Sequence, residues 1–291
     1  MTDRRITRRT VIRGGTAAAI AGAALASRAD AQPAVPLHGP GRRRCLSFQS
    51  GGQTCFGMVH VPSGAFGKRP AVLIMHGLVG SKDQPHRIFV TLAEALAKAG
   101  FASLRFDLRG RGDSEGESID ITPKRDLEDA RNALETLRQQ PEVDADNVTL
   151  LGLSWGGNLA AMLSGSTGVK RVVLWSSVPT DNESWPAKLK DVNGRQAADL
   201  YGNLIGKEFY DGLAEMTPFS ELKRARRPVL MVWGTGDEAI RRGKFEALAS
   251  DLEFADVRVR GASVEGADHA FMSHEHERKA IEATLDWLKS T

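Results

Sequence analysis

The sequence contains little cysteine and has no strong compositional bias. Only Cys45 and Cys55 occur among its 291 residues, and their spacing matches no metal-ligand pattern. Hydrophobic residues make up 41% and charged residues 26% of the chain, which argues against a fibrous, low-complexity or wholly disordered protein. The length suffices for one large domain or two small ones with a buried core.

The chain also lacks a strong excess of either charge, and its net charge of +3 originates in the first 31 residues. That segment holds six arginines and two aspartates, a net +4, so the remaining chain carries −1. A basic beginning, an uncharged stretch at residues 14–27 and a small-x-small ending at residues 29–31 are typical of a cleavable export signal. Residues 7–13, TRRTVIR, resemble a bacterial twin-arginine export signal.

Two alternatives for this segment are a membrane anchor and a disordered basic arm. The uncharged stretch of roughly 14 residues is shorter than the ~20 that span a bilayer, and a basic arm needs no small-residue cleavage site. We therefore predict a signal peptide at residues 1–31 and a periplasmic or secreted protein from residue 32. For this nearly neutral remainder we expect no nucleic-acid partner and no stable membrane anchor.

The two cysteines lie on either side of a predicted hairpin. Two strand-like segments join through residues 50–53, whose centre is a pair of glycines. An oxidising compartment would permit a disulfide. Symmetric pairing, however, places Cys55 opposite Phe48 rather than Cys45. A disulfide therefore requires a longer loop or a bulge, and the sequence leaves its formation open.

Short apolar runs alternate with longer amphipathic segments from residue 70 onward. This alternation predicts a mostly parallel sheet flanked by helices on both faces, with the hairpin at residues 44–61 adding antiparallel strands at one edge. The predicted strands are residues 71–75, 102–106, 148–151, 172–176, 229–233 and 257–260. The predicted helices are residues 87–99, 158–164, 277–288 and one that begins at Pro123.

One long segment interrupts this alternation. Residues 179–227 separate two strands by about 49 residues, far more than the few residues of a usual connection. We predict a helical cap insertion that lies over a site, and the alternative is a surface decoration. The segment contains the aromatic residues Trp185, Tyr201, Phe209, Tyr210 and Phe219.

The strongest local signal is a G-x-S-x-G motif at residues 152–156, with Ser154 at its centre. It follows a predicted strand and precedes a helical stretch, which is the context that this motif requires. Glycines on both sides allow close backbone packing in a sharp turn that pushes the serine hydroxyl into a cleft. The positive end of the following helix favours a developing oxyanion. Ser154 is therefore the candidate nucleophile.

A serine nucleophile needs a base, and the base needs a group that holds it. Asp237 comes just after the strand at residues 229–233, and His269 comes after the next strand and before the last helix. Both lie at carboxyl ends of parallel strands, where such a sheet gathers its site. Each alone could be an ordinary turn or surface residue, but together with Ser154 they predict a catalytic triad.

The order serine, aspartate, histidine resembles the nucleophile, acid and base of the α/β-hydrolase superfamily. This resemblance extends over the chain from about residue 44 to 289. Residues 75–78, Met-His-Gly-Leu, resemble the family's H-G-x oxyanion loop. The resemblance implies that the backbone N–H groups of Leu78 and Trp155 form an oxyanion hole. It also implies that His76 holds the loop rather than transferring protons.

Residues 106–114 resemble the family's D-x-R-G-x-G-x-S stretch, with Arg111 where histidine is frequent. Residues 105–116 are most like feruloyl or cinnamoyl esterases and related serine peptidase-like hydrolases. Within the superfamily, Ser154 argues against dehalogenases and epoxide hydrolases, which carry aspartate there, and against dienelactone hydrolases, which carry cysteine. Ester, thioester and amide hydrolysis remain open, as do cofactor-free haloperoxidase and C–C bond hydrolase chemistry.

Several other features are interpreted as structural. The HEH sequence at residues 274–276 places its histidines on different helix faces, so we expect a solvated helix start rather than a metal site. The basic runs at residues 42–44 and 223–227 lack interleaved aromatics and are interpreted as solvated edges. The aromatic residues Trp155, Trp185, Tyr201 and Phe271 could each line an aromatic acyl pocket or pack in the core. Of these, Trp185 and Phe271 are the predicted substrate contacts.

We therefore predict an α/β-hydrolase domain at residues 32–291, with a cap insertion at about residues 179–227. Its predicted reaction is the hydrolysis of a small-molecule carboxylic ester through an acyl-enzyme, without a metal or other cofactor. The alternatives are a peptidase, an amidase or a thioesterase with the same triad. An alternative of another class is a non-catalytic binding protein on the hydrolase scaffold. The sequence predicts neither an acyl preference nor an oligomeric state.

Overall fold

The computed structural model describes residues 41–64 and 67–291, so the predicted export signal at residues 1–31 lies outside the described residues. The strands are β1 (Gly41–Ser50), β2 (Gln53–Pro62), β3 (Arg69–Met75), β4 (Ala102–Phe106), β5 (Val143–Leu153), β6 (Arg171–Trp175), β7 (Lys190–Val192), β8 (Arg195–Leu200), β9 (Asn203–Gly206), β10 (Val229–Gly234) and β11 (Val259–Val264). The helices are α1 (Ile88–Lys98), α2 (Pro123–Arg138), α3 (Trp155–Ser164), α4 (Lys207–Gly212), α5 (Pro218–Ala225), α6 (Arg242–Phe254) and α7 (His274–Ser290). Among these helices, none combines the length and apolar character that a membrane crossing requires.

Eight strands form the central sheet, in the order β1-β2-β4-β3-β5-β6-β10-β11. The six strands from β4 to β11 pair in parallel, while β2 pairs antiparallel with β1 and with β4. The structure thus confirms the predicted mostly parallel sheet with a hairpin at one edge. Strands such as β10, in which every residue is buried, read as continuous apolar runs because helices cover both faces of the sheet.

Each face of the sheet has its own hydrophobic core, because successive side chains of a strand point to opposite faces. In β3, Leu73 and Met75 pack in a cluster with buried residues of α2, α3 and α6. Val72 and Ile74 pack instead in a second cluster with buried residues of α1 and α7. The strand ends that carry the candidate site residues are therefore anchored in two cores.

The last strand is displaced from its predicted position at residues 257–260. It lies at Val259–Val264, because the Val257 amide still donates to the Leu252 carbonyl and completes the end of α6. α3 begins at Trp155, three residues earlier than predicted. α7 begins at His274 rather than at residue 277, and the Ser273 side chain caps it.

The insertion at residues 179–227 is mixed rather than helical. Its strands β7, β8 and β9 form a three-stranded antiparallel sheet, which α4 and α5 follow. The two hairpins turn at Asn193-Gly194 and at Tyr201-Gly202, and φ is positive at all four residues. Positive φ at both central residues defines the type I′ turn that favours a tight hairpin, and glycine at the second position permits it. These turns explain why the segment forms strands.

The two cysteines are free thiols. In the β1–β2 ladder, Phe48 pairs with Cys55 and Met58 pairs with Cys45, as the symmetric hairpin predicts. The disulfide that the sequence left open is therefore not formed, because this register places the two cysteines at different levels of the ladder. Cys45 is exposed, whereas Cys55 is buried, and burial raises the pKa of its thiol to about 12.

Candidate active site

Ser154 stands in the turn between β5 and α3. Its backbone has φ 53° and ψ −119°, a conformation that is rare for a residue other than glycine. The Ser154 amide donates to the Trp175 carbonyl at 2.8 Å, which ties the turn to the end of the neighbouring strand β6. Strained backbone of this kind persists only where surrounding structure holds it, and it clusters at functional sites.

The glycines of the motif provide the space that this turn needs. A Cβ atom on Gly152 would lie 2.0 Å from the Gly156 carbonyl oxygen. A Cβ atom on Gly156 would lie 2.2 Å from the carbonyl oxygen of Met75 at the end of β3. Both positions therefore require glycine because backbone, which cannot move aside, occupies the place of a side chain.

His269 and Asp237 are hydrogen-bonded to each other. His269 Nδ1 lies 2.8 Å from Asp237 Oδ2, while Asp237 Oδ1 accepts the amides of Ala239 and Ile240 at 2.8 and 2.9 Å. The Asp237 side chain is 1% exposed, and the His269 side chain is 30% exposed. A carboxylate held in this way favours a proton on Nδ1 and leaves Nε2 available as an acceptor.

Backbone contacts between two loops bring this pair together. The Gly236 amide donates to the Ala267 carbonyl at 2.9 Å, and the Gly266 amide donates to Thr235 Oγ1 at 2.8 Å. The Asp268 carboxylate accepts two of the amides that follow it, which fixes the turn around the histidine. The loops after β10 and β11, which carry Asp237 and His269, are therefore hydrogen-bonded to each other apart from the contact between those two side chains.

Ser154 and His269 line the same cavity, which has a volume of about 1080 Å³. The structure thus brings together all three predicted triad residues, with Asp237 hydrogen-bonded to the histidine. The walls of this cavity come from the loop after β3, from the turn after β5 and from the insertion. Its apolar lining residues include Leu78, Trp185, Leu200, Tyr201, Tyr210 and Met272.

The two predicted oxyanion amides are those of Leu78 and Trp155. Leu78 lines the cavity, and its amide donates to no backbone acceptor within the described ranges. Trp155 is the first residue of α3, so its amide has no partner within the helix. The positive end of the helix dipole points the same way. The predicted oxyanion role of Leu78 and Trp155 is compatible with this arrangement.

His76 is fully buried and engaged at both ring nitrogens. Its Nδ1 donates to the Gly77 carbonyl at 2.7 Å, and its Nε2 accepts the Leu108 amide at 3.1 Å. Burial, with the positive charge of Arg111 nearby, lowers the pKa of His76 to about 4. His76 therefore joins the loop after β3 to the loop after β4 as a neutral ring, in keeping with the structural role that the resemblance implies.

One buried ion pair contacts both predicted oxyanion residues. Arg111 donates to the two carboxylate oxygens of Asp126 at 2.6 and 2.9 Å, and its Nε donates to the Leu78 carbonyl at 2.9 Å. Trp155 Nε1 donates to Asp126 Oδ2 at 2.8 Å. Arg111 is 5% exposed and Asp126 is 1% exposed. The pair therefore holds Leu78 through its carbonyl and Trp155 through its indole.

Arg111 is visible in the sequence as a departure from the family pattern, whereas Asp126 was not among the predicted site residues. The available signal was the position of Asp126 on α2, four residues before buried Ala130 and seven before buried Ala133. A carboxylate on the buried face of a helix needs a partner, because an unpaired buried charge is costly. At the position where the family frequently has histidine, this chain therefore has Arg111, and the Asp126 carboxylate neutralises its charge.

The aromatic residues divide between the cavity and the core. Trp185 and Tyr201 line the cavity, whereas the predicted contact Phe271 is fully buried and packs on Trp175 with ring centroids 5.6 Å apart. Phe271 is wrong as a substrate contact because its backbone, at φ 56°, turns the ring into the core between the sheet and α7. The Trp155 ring is also buried, against Trp185 and another aromatic ring of the insertion.

The HEH sequence begins a helix and holds no metal cluster. The Ser273 hydroxyl accepts the His276 amide at 3.1 Å, which caps α7. In residues 41–64 and 67–291, no group of three or more histidine, cysteine or acidic side chains could hold a metal ion. In the basic run at residues 42–44, each arginine pairs with a glutamate, either Glu142 or Glu94.

Known proteins resemble this chain in sequence and in structure. It is 34% identical to the thiohydrolase aneE of Aspergillus aculeatus over 110 residues, which is 38% of this chain and 33% of that protein. It is 32% identical to the quorum-quenching protein AidA of Acinetobacter baumannii over 169 residues, 55% of this chain and 54% of that protein. The chain therefore spans about a third to about half the length of these curated relatives.

The fold is shared with solved hydrolase structures. The ferulic acid complex of Est1E from Butyrivibrio proteoclasticus superposes with a TM-score of 0.71 at 20% identity, covering 84% of this chain and 96% of that one. The sequence profile described as the alpha/beta hydrolase fold matches residues 70–215, half of the chain. With its mostly parallel sheet, this chain belongs to the α/β-hydrolase family.

Proposed function

We propose that the protein is a serine hydrolase that cleaves carboxylic esters through an acyl-enzyme. The observation that carries this proposal is the geometry of three residues. Ser154, in its strained turn, shares a cavity with His269, whose Nδ1 is held by the buried carboxylate of Asp237. Esterases among its structural relatives support the same class of reaction.

In the first half of the reaction, Ser154 Oγ attacks the ester carbonyl carbon while His269 Nε2 takes the hydroxyl proton. Asp237 keeps the imidazole in position and stabilises its cation. The carbonyl oxygen becomes an oxyanion, which accepts hydrogen bonds from the backbone amides of Leu78 and Trp155. When the intermediate collapses, the bond to the alcohol oxygen breaks, and that oxygen takes the proton from His269.

In the second half, a water molecule takes the place of the departed alcohol. His269 Nε2 removes a proton from the water as the water oxygen attacks the acyl carbon. The same two amides donate hydrogen bonds to the second oxyanion. Collapse of this intermediate releases the carboxylic acid and returns the proton to Ser154. Side chains of the insertion at residues 179–227 that line the cavity select the substrate.

A matched set of substrates tests the type of bond that is cleaved. Thioester and amide hydrolysis use the same intermediates, and the relatives include a protein named a thiohydrolase and others named acylamino-acid-releasing enzymes. We expect kcat/KM for a hexanoyl oxygen ester to exceed that for the corresponding hexanoyl anilide, because the aniline nitrogen is a poorer leaving group than the alcohol oxygen. A higher kcat/KM for the anilide or for the hexanoyl thioester would contradict an esterase, and a Ser154→Ala variant provides the background rate.

We further propose that the reaction takes place outside the cytoplasm. This part of the proposal rests on the basic segment and small-x-small ending at residues 1–31. Replacing Arg8 and Arg9 with lysine is expected to leave the full-length protein in the cytoplasm of an expressing bacterium. Fractionation followed by immunoblotting measures this, and undiminished periplasmic protein from the variant would contradict a twin-arginine signal.

A further inference from the structure

A second, smaller cavity of about 400 Å³ also contains Ser154 and His269 in its wall. It is called the polar chamber here, because Asn158, Ser177 and Lys244 line it. The cavity of about 1080 Å³ is called the apolar chamber, after its mostly apolar walls. Ser154 and His269 therefore line both chambers, of which the smaller is the more polar.

Two polar side chains of the polar chamber form no hydrogen bond within the described ranges. Asn158 lies one helical turn after Ser154 and is 7% exposed, and its side-chain amide forms no hydrogen bond to the described residues. Ser177, just after β6, is 2% exposed, and its hydroxyl is likewise unpartnered. Since buried polar groups are almost always hydrogen-bonded, the Ser177 hydroxyl lacks an expected partner, and the Asn158 amide beside it in the chamber wall retains its own donors and acceptor for a polar ligand.

The glycine after the G-x-S-x-G motif belongs to this chamber. A Cβ atom on Gly157 would lie 2.3 Å from Ser177 Oγ, so the hydroxyl reaches the first turn of α3 only because residue 157 is glycine. The elbow itself is explained by Gly152 and Gly156. The third glycine is explained by the position of the Ser177 hydroxyl beside the start of α3.

The charges of the polar chamber indicate a neutral ligand. Glu183, which is half-buried, and Lys244, which is exposed, both line it, so its two charges have opposite signs. The Asn158 amide and the Ser177 hydroxyl can each donate and accept a hydrogen bond. This set matches hydroxyl groups, which also donate and accept, better than it matches a carboxylate or an ammonium group.

We propose that the polar chamber binds the alcohol half of the ester, and that this alcohol is a neutral polyol. The inference rests on the proposed ester hydrolysis. The departing alcohol and the incoming water occupy the same position relative to the acyl carbon and His269. A polar chamber at that position accepts both, while the apolar chamber holds the acyl chain away from water.

Two esters with one acyl group test this assignment. We expect wild-type kcat/KM for 2,3-dihydroxypropyl hexanoate to exceed that for propyl hexanoate by roughly tenfold, since each buried hydrogen bond contributes on the order of a few-fold to tenfold. In the Ser177→Ala and Asn158→Ala variants the ratio should fall toward one. Ser176→Ala is the matched control, because the neighbouring Ser176 hydroxyl is also buried and unpartnered but lines neither chamber.

The outcomes separate this inference from the proposed function. Equal kcat/KM for the two esters in the wild type, or an unchanged ratio in Ser177→Ala, overturns the polyol assignment and leaves ester hydrolysis standing. The polyol assignment is also overturned if kcat/KM instead rises tenfold for an ester whose hydroxyl groups lie in the acyl half. Absence of hydrolysis of both esters and of p-nitrophenyl acetate overturns the proposed function itself. Thermal melting verifies that each variant folds, and Ser177→Ala, which removes one oxygen atom, carries the test if Asn158→Ala does not fold.

Discussion

Replacing Ser154 with alanine is expected to lower kcat for p-nitrophenyl esters by roughly 10⁴-fold or more, because the acyl-enzyme cannot form without the hydroxyl. The two oxyanion amides and both chambers remain in place, so substrate binding should persist. We therefore expect the loss in kcat with a KM that changes little. Initial rates over a range of substrate concentrations measure both quantities.

The control for this variant is Ser166→Ala, which changes an exposed serine just beyond the end of α3. It should hydrolyse the same esters at the wild-type rate. A Ser154→Ala enzyme whose kcat lies within tenfold of the wild type would contradict the assignment of Ser154 as nucleophile. Circular dichroism and thermal melting test whether the fold is intact. We expect it to be, because alanine at this turn retains the same backbone conformation as serine.

Removing one partner of the Arg111–Asp126 pair is expected to have the largest effect on stability. Arg111→Met leaves the Asp126 carboxylate buried without its cation, which costs about 3–5 kcal/mol in the free energy of unfolding. The Leu78 carbonyl also loses its donor, so we expect kcat to fall by roughly 10–100-fold as the oxyanion amides become less well placed. Urea denaturation and steady-state kinetics measure the two effects.

A double variant separates positioning from simple support of the fold. Arg111→Met with Asp126→Leu replaces the ion pair by apolar groups, an exchange that is often neutral or stabilising. We expect it to recover much of the lost stability while kcat stays low, because neither Leu78 nor the Trp155 indole regains its partner. Recovery of wild-type kcat in the double variant would show that the pair acts only on stability. The exposed pair Lys207–Asp211 provides a control that should alter neither quantity measurably.

Much of the scaffold could be predicted because local patterns determine it. The continuous apolar runs of the central strands are a direct consequence of helices on both faces. The nucleophile could be predicted because the G-x-S-x-G motif combines composition with strand and helix context. Asp237 and His269 could be predicted because parallel strands direct their carboxyl ends to one edge of the sheet. The pairing of Phe48 with Cys55 followed from the position of two glycines.

The features that could not be predicted depend on contacts between distant parts of the chain. Asp126 acquires its role only where α2 meets both the loop after β4 and the start of α3. Phe271 follows the base closely in sequence, yet the turn that exposes His269 sends the phenyl ring into the core. The polar chamber depends on the approach of Ser177 to Gly157, which only the assembled sheet creates. The β-sheet of the insertion had a local signal in its Asn-Gly turn.

Covalent labelling with a fluorophosphonate tests Ser154 as the nucleophile most directly, because this probe reacts with an activated serine and not with ordinary hydroxyl groups. The purified protein is incubated with the probe, digested, and mapped by tandem mass spectrometry. We expect one adduct per chain, located on Ser154, and little or no adduct in a His269→Ala variant that lacks the base. A wild-type protein that remains unlabelled, or that carries its adduct on a different residue, would contradict Ser154 as the nucleophile.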